Sequence, residues 1–151
     1  MKLARWLMVV GVLTALALLG LASVWAPDRP VSALTFWSPP PSRFMSLSGM
    51  TVHMRDEGPR TDSVPIVLLH GTSASLHTWN GWAASLRDTH RVIRFDLAGF
   101  GLTGPSREQD YSVGAYTKQT LALLDSLNVS RFAIAGNSLG GEVAWHVAEH
   151  A

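Results

Sequence analysis

Three times after residue 60 the hydrophobic pattern switches from a short continuous run to a helical period, and this alternation restricts the chain to few folds. Val64 to Leu69, Arg91 to Leu97 and Arg131 to Ala135 are rich in apolar and β-forming residues. Such runs suit parallel strands buried on both faces. Each is followed by a helical pattern: Trp79, Trp82, Ala83 and Leu86, then Val113, Thr117, Thr120, Leu124 and Leu127, then Val143, Ala144 and Val147. Parallel strands need crossover connections, which helices supply. Ser112 is placed to cap the second helix, with Tyr111 and Tyr116 as a hydrophobic staple. Upstream, Phe44 to Leu47 and Thr51 to Arg55 flank Ser48-Gly49 and read as an antiparallel hairpin. The expected fold class is α/β: a hairpin leading into an open, mainly parallel sheet.

The strand ends carry the residues with chemical potential. Gly136-Asn137-Ser138-Leu139-Gly140 lies directly between the third strand and its helix. A serine on a sharp strand-to-helix turn has strained backbone geometry and an exposed hydroxyl, while glycines two residues either side let strand and helix pass closely. The helix start also offers the Leu139 N–H to a developing negative charge. The competing reading is an ordinary glycine-rich turn in which Ser138 only caps the helix. His70-Gly71 ends the first buried strand, and Asp96-Leu97-Ala98-Gly99-Phe100-Gly101 ends the second. Both fall where the loops of open parallel sheets line a ligand crevice.

A strand ending in His-Gly, an Asp-x-x-Gly-x-Gly loop and a G-x-S-x-G turn, in this order, resemble the α/β-hydrolase superfamily from about Phe44 to Ala151. The resemblance implies that Ser138 is the nucleophile and that Thr72 and Leu139 donate the oxyanion-hole N–H groups. It gives His70, Gly71, Asp96, Gly99, Gly101, Gly136 and Gly140 loop-shaping roles. It also implies the triad order Ser, acid, His, so both partners of Ser138 are expected beyond it and this chain is expected to be the N-terminal portion of the domain. Alone, that portion is expected to be inactive and to leave the strand before Ser138 as an unpaired edge. Serine at the turn argues against relatives with an aspartate nucleophile, such as haloalkane dehalogenases and epoxide hydrolases.

Six histidines are available as a base. His53 in the hairpin and His77 near a helix start are expected to have surface or packing roles, and His90, before a strand, to be solvated. His146 and His150 lie on the helix that leads away from the Ser138 hydroxyl. The expected function is a serine hydrolase that acts on a carboxylester or related carbonyl through an acyl-enzyme, with a small-molecule substrate, no cofactor and no metal. Amide or carbon–carbon cleavage, peracid chemistry and acyl transfer remain open. The alternative from another class is a non-catalytic, membrane-tethered binding module, or an inactive truncated fragment.

Lys2 and Arg5 precede Trp6 to Ala26, an uncharged run long enough for a bilayer core, which needs about 20 apolar residues. A cleaved signal has an apolar region of about 7–15 residues, and Pro27 follows the best cut after Val24-Trp25-Ala26. Residues 1–26 therefore read as a membrane anchor or signal segment, and the positive-inside rule puts the start in the cytoplasm and the domain on the other side. A cut leader would instead give a secreted or periplasmic form. Residues 27–43 read as a proline-rich connector with extended polyproline geometry, and residues 44–151 as the incomplete hydrolase domain. Leu34 to Trp37 suits either the membrane interface or packing on the domain. The net charge of +1, with 15% charged residues, gives no basic stripe for nucleic acid. With no cysteine, disulfides and thiolate zinc sites are excluded. Asn128-Val129-Ser130 matches a glycosylation acceptor, but its place at a helix-to-strand junction makes a chance match the better reading.

Overall fold

The computed structural model describes residues 2–24 and 29–151, in two units, Met1–Pro30 and Val31–Ala151. Trp25, Ala26 and Pro27, on which cleavage of the leader turns, lie outside the described residues, as does Met1. In the first unit α1 (Lys2–Val24) is one uninterrupted helix. Its stretch Leu3–Val24 has a mean hydropathy of 2.5 and none of it is buried. At 1.5 Å per residue it is about 33 Å long, against a hydrocarbon core of about 30 Å. The helix is therefore long and apolar enough to cross a membrane, a test that a signal sequence also passes.

The second unit opens with a 3-10 helix, Val31–Trp37, where extended geometry is expected. The prolines that enforce extension flank this segment and none lies within it, and Ser38 closes its end on the Thr35 carbonyl. A sheet of five strands follows: β1 (Arg43–Leu47), β2 (Met50–Glu57), β3 (Ile66–Leu69), β4 (Val92–Phe95) and β5 (Ala133–Gly136). Their order in space is β1-β2-β4-β3-β5. The pairs β1–β2 and β2–β4 are antiparallel, and β4–β3 and β3–β5 are parallel. Successive side chains of a strand point to opposite faces, and the core divides accordingly. Val67, Leu69, Ile93 and Phe95 face Leu123 and Leu124 of α3 (Val113–Ser126) and Val143 and Val147 of α4 (Leu139–His150). Leu68 and Val92 instead cluster with Trp79 and with Ala83 of α2 (Asn80–Leu86). Ser112 caps α3, its Oγ accepting from the Ala115 N–H at 3.2 Å.

Two local expectations shift. The hairpin pattern ends at Arg55, yet β2 continues through Asp56 and Glu57, both buried. Their charges are tolerated because cations just before and within β4, the strand paired with β2, meet them: Arg91 grips Asp56 with two bonds of 2.9 and 3.0 Å, and Arg94 places Nε and Nη2 at 3.1 and 2.7 Å from Glu57 Oε2. The second shift concerns Trp82, which is 60% exposed. Leu76–Trp79 winds as a 3-10 helix, and Trp79 and Ala83 turn inward while Trp82 meets the Trp79 ring edge-to-face.

Candidate active site

Ser138 sits where β5 gives way to α4, with φ 52° and ψ −121°. That conformation costs a non-glycine residue about 1–3 kcal/mol, and the crowding around the turn holds it in place. A Cβ on Gly136 would overlap the Gly140 carbonyl, and one on Gly140 would overlap the Leu69 and His70 carbonyls. Only glycine at both positions lets α4 start this close to β3 and β5. The Asn137 N–H donates to the Leu69 carbonyl at 3.1 Å, and the Gly141 and Glu142 N–H groups return to the Ser138 carbonyl. The residue itself is exposed.

The loop after β3 lies against this turn. A Cβ on Gly71 would stand 3.1 Å from Ser138 Cβ and 3.0 Å from the Asn137 carbonyl oxygen. Thr72, the next residue, is exposed beside the turn. Among the described residues neither the Thr72 N–H nor the Leu139 N–H has an intramolecular acceptor. Two free amides thus flank an exposed hydroxyl, one of them at a helix N-terminus, where partial positive charge accumulates.

Behind that surface, His70 and Asp96 tie the loops together. His70 is fully buried; Nδ1–H donates to the Gly71 carbonyl at 2.7 Å, and Nε2 accepts from the Leu97 N–H at 3.0 Å. Asp96 accepts from the Leu76 N–H at 2.7 Å, the Leu102 N–H at 2.8 Å and His53 Nδ1–H at 2.8 Å. Gly101, at φ 54°, leaves room for that carboxylate, which a Cβ would overlap. Gly99, in the same loop, lies under the Tyr111 ring. Gln119 of α3 adds a support that no sequence motif indicates: its Oε1 accepts from the Ala98 N–H at 3.0 Å.

None of the six histidines reaches the Ser138 hydroxyl. His53 bonds Asp96 and Ser42, His70 the loop backbone and His77 the Trp37 carbonyl. His90 is near Asp62, His146 near Glu149, and His150 bonds the His146 carbonyl. His53 departs from a simple packing role, since both ring nitrogens are engaged by side chains from distant parts of the chain.

The titrations of His70, His77, Asp96 and Asp56 share one sign. Burial lowers the His70 pKa below its ordinary 6.5, against weaker opposing effects of the Gly71 carbonyl and Asp96. Burial also lowers His77, helped by the nearby Arg55 charge. For Asp96, burial raises the pKa, but hydrogen bonds from His53, Leu76 and Leu102 outweigh it and leave the group below 3.8. Asp56 is likewise below 3.8, with Arg91 and Arg60 overcoming burial. In each case the unfolded chain binds more protons, so stability is lost as pH falls. Urea midpoints measured from pH 7 to 3 are expected to drop in two stages, below about 6.5 and again below about 4. His70→Gln should shrink the upper stage to the part that His77 contributes. A flat profile between pH 7 and 5 in the parent chain would refute the first assignment.

The comparisons with known proteins fit this geometry. A family model described as alpha/beta hydrolase fold matches residues 64–151. An uncharacterized protein of Mycobacterium tuberculosis is 38% identical over 120 residues, which is 80% of this chain and 33% of that protein. The 2-hydroxy-6-oxo-2,4-heptadienoate hydrolase of Pseudomonas putida is 29% identical over 105 residues, covering 68% of this chain and 37% of the relative. Among solved structures, a hydrolase from Pseudomonas aeruginosa PA01 superposes with a TM-score of 0.67 at 29% identity, covering 74% of this chain and 42% of that one. The chain spans about a third of the length of the curated relatives it matches. With the family match covering its β/α units through the serine turn, the chain belongs to the alpha/beta hydrolase fold family.

Proposed function

We propose that Ser138 is the nucleophile of a serine hydrolase that cleaves a carboxylester or related carbonyl substrate through an acyl-enzyme. The observation that carries this reading is the exposed Ser138 hydroxyl on a strained turn, flanked by the unpaired N–H groups of Thr72 and Leu139. Attack on a carbonyl places negative charge on its oxygen, and two preorganised amides are what such an oxygen needs. The P. putida relative is named for a substrate with a 6-oxo group, an electrophilic carbonyl of the kind a serine attacks. The six histidines have other partners, so in this reading none of them is the general base for Ser138. Without that base Ser138 is a weak nucleophile. A fluorophosphonate applied to the complete enzyme should form its principal adduct on the Ser138 peptide. An enzyme that turns over esters while Ser138 stays unmodified would refute the reading.

In the same proposal α1 anchors the protein in a membrane, with its start in the cytoplasm and the domain across the bilayer. The support is the length and apolarity of Leu3–Val24, with Lys2 and Arg5 at its start. The mature protein should stay with membranes through an alkaline carbonate wash. A soluble mature form beginning between Ser23 and Asp28 would overturn the anchor.

A further inference from the structure

We propose that Ser42, His53 and Asp96 form a second nucleophilic site, separate from Ser138, that is acylated by small activated esters and modified by organophosphorus reagents. Ser42 Oγ lies 2.9 Å from His53 Nε2, and His53 Nδ1 lies 2.8 Å from Asp96 Oδ2. With Asp96 held as the carboxylate by two backbone N–H donors, the proton between them belongs to His53 Nδ1. Nε2 is then a free acceptor for the Ser42 hydroxyl. A nucleophile, a base in hydrogen-bond reach and a third group that orients the base constitute the triad arrangement, which is recognised by roles and not by position in the chain.

Neighbouring groups fit the same chemistry. Arg55 Nε donates to Ser42 Oγ at 3.0 Å and its Nη2 to the Pro39 carbonyl at 3.4 Å. Its Nη1 has no partner among the described residues. A cation beside the hydroxyl stabilises both an alkoxide and the oxyanion that forms on attack. The His53 ring is fully buried and held by the Phe44 ring stacked at 5.1 Å between centroids. Ser42 itself is only half-buried. The site is distinct from the serine turn, because β3 separates β4, which leads into Asp96, from β5, which leads into Ser138.

In the acylation step Ser42 Oγ bonds to the ester carbonyl carbon while its proton passes to His53 Nε2, and the carbonyl electron pair moves onto oxygen beside Arg55. Collapse breaks the bond to the leaving alkoxide, which departs as the alcohol with the His53 proton. Water then reverses the sequence and releases the acid. With diisopropyl fluorophosphate the Oγ–P bond replaces P–F, and fluoride leaves with the proton.

The test uses the full chain in lipid nanodiscs carrying Ser138→Ala, treated with diisopropyl fluorophosphate and read by peptide mass mapping. One adduct is expected, on the Ser42 peptide, and His53→Gln should slow its formation about 100-fold, the scale of general-base assistance. Near-UV circular dichroism checks that each variant keeps its tertiary fold. Should His53→Gln not fold, Ser42→Ala, which removes one hydroxyl, must form no adduct, and the Ser42 adduct must not form on the chain in urea. A folded chain without the Ser42 adduct, or modification at the same rate in folded His53→Gln, overturns the proposal. Because the readout is the Ser42 peptide in a chain lacking the Ser138 hydroxyl, the outcome is independent of the role assigned to Ser138.

Discussion

Exchanging Ser138 for alanine in the complete enzyme is expected to lower kcat by about 10⁶, the loss that follows removal of a triad nucleophile. KM should change little, since one hydroxyl adds little to ground-state binding. The residual rate, about 10³–10⁴ over water, would come from the oxyanion donors and from binding. Alanine keeps the Cβ that makes φ 52° and ψ −121° unfavourable, so Ser138→Ala should fold with unchanged stability. Ser138→Gly removes the same hydroxyl and also relieves the backbone, and it should be more stable than the parent by about 1 kcal/mol or more. An inactive enzyme that becomes more stable with glycine separates a catalytic serine from a helix cap, whose loss costs stability. Retained turnover in either variant would remove Ser138 from the mechanism.

The parts of this fold that were legible in the sequence are local. Apolar runs mark β3 and β4, which are buried along nearly their whole length, and a short apolar run also marks β5, although its residues are exposed or half-buried; Ser112 marks the start of α3 because its hydroxyl satisfies a free N–H. The serine turn was legible for the same reason: Gly136 and Gly140 are demanded by atoms within a few residues or across one strand pair. What stayed hidden depends on partners far away in the chain. Nothing near Asp56 or Glu57 indicates that Arg91 and Arg94 will meet them, so charged residues read as the end of a strand that continues. Similarly, β4 inserts between β2 and β3, an order set by crossover packing and not by any one segment.

The candidate site divides along the same line. His70, Asp96 and the glycines were recognisable from motif and placement, whereas the partner of Asp96 was not. His53 precedes it by 43 positions and looks like any polar residue of a hairpin. Its burial arises only when β2 pairs with β4 in register, where Met54 lies opposite Phe95 and the Asp96 N–H donates to the His53 carbonyl. A histidine in a strand whose antiparallel partner ends in Asp-x-x-Gly is the signal that would have pointed to the pair, once the strand order was known.

The buried pair between Glu57 and Arg94 should give the largest stability effect outside the serine turn. Arg94 is 2% exposed and Glu57 8% exposed, and the guanidinium also donates to the Leu76 carbonyl and to Asn80 Oδ1. Arg94→Met keeps most of the side-chain volume but leaves the Glu57 carboxylate in the interior, and removing one member of a buried pair costs about 3–5 kcal/mol. Arg87 moderates the loss, since its Nη1 is 3.3 Å from Glu57 Oε1, but it is half-exposed and screened by solvent. A value near 3 kcal/mol is therefore expected from urea denaturation at pH 7. The double variant Glu57→Leu with Arg94→Met removes both charges, and apolar replacements of buried pairs are often neutral. It should recover more than half of that loss, the remainder reflecting the Leu76 carbonyl and Asn80 left without their donor. If Arg94→Met alone costs under 1 kcal/mol, or the double variant is less stable than the single one, the strand end is held by packing of α2 over β4 and not by the ion pair.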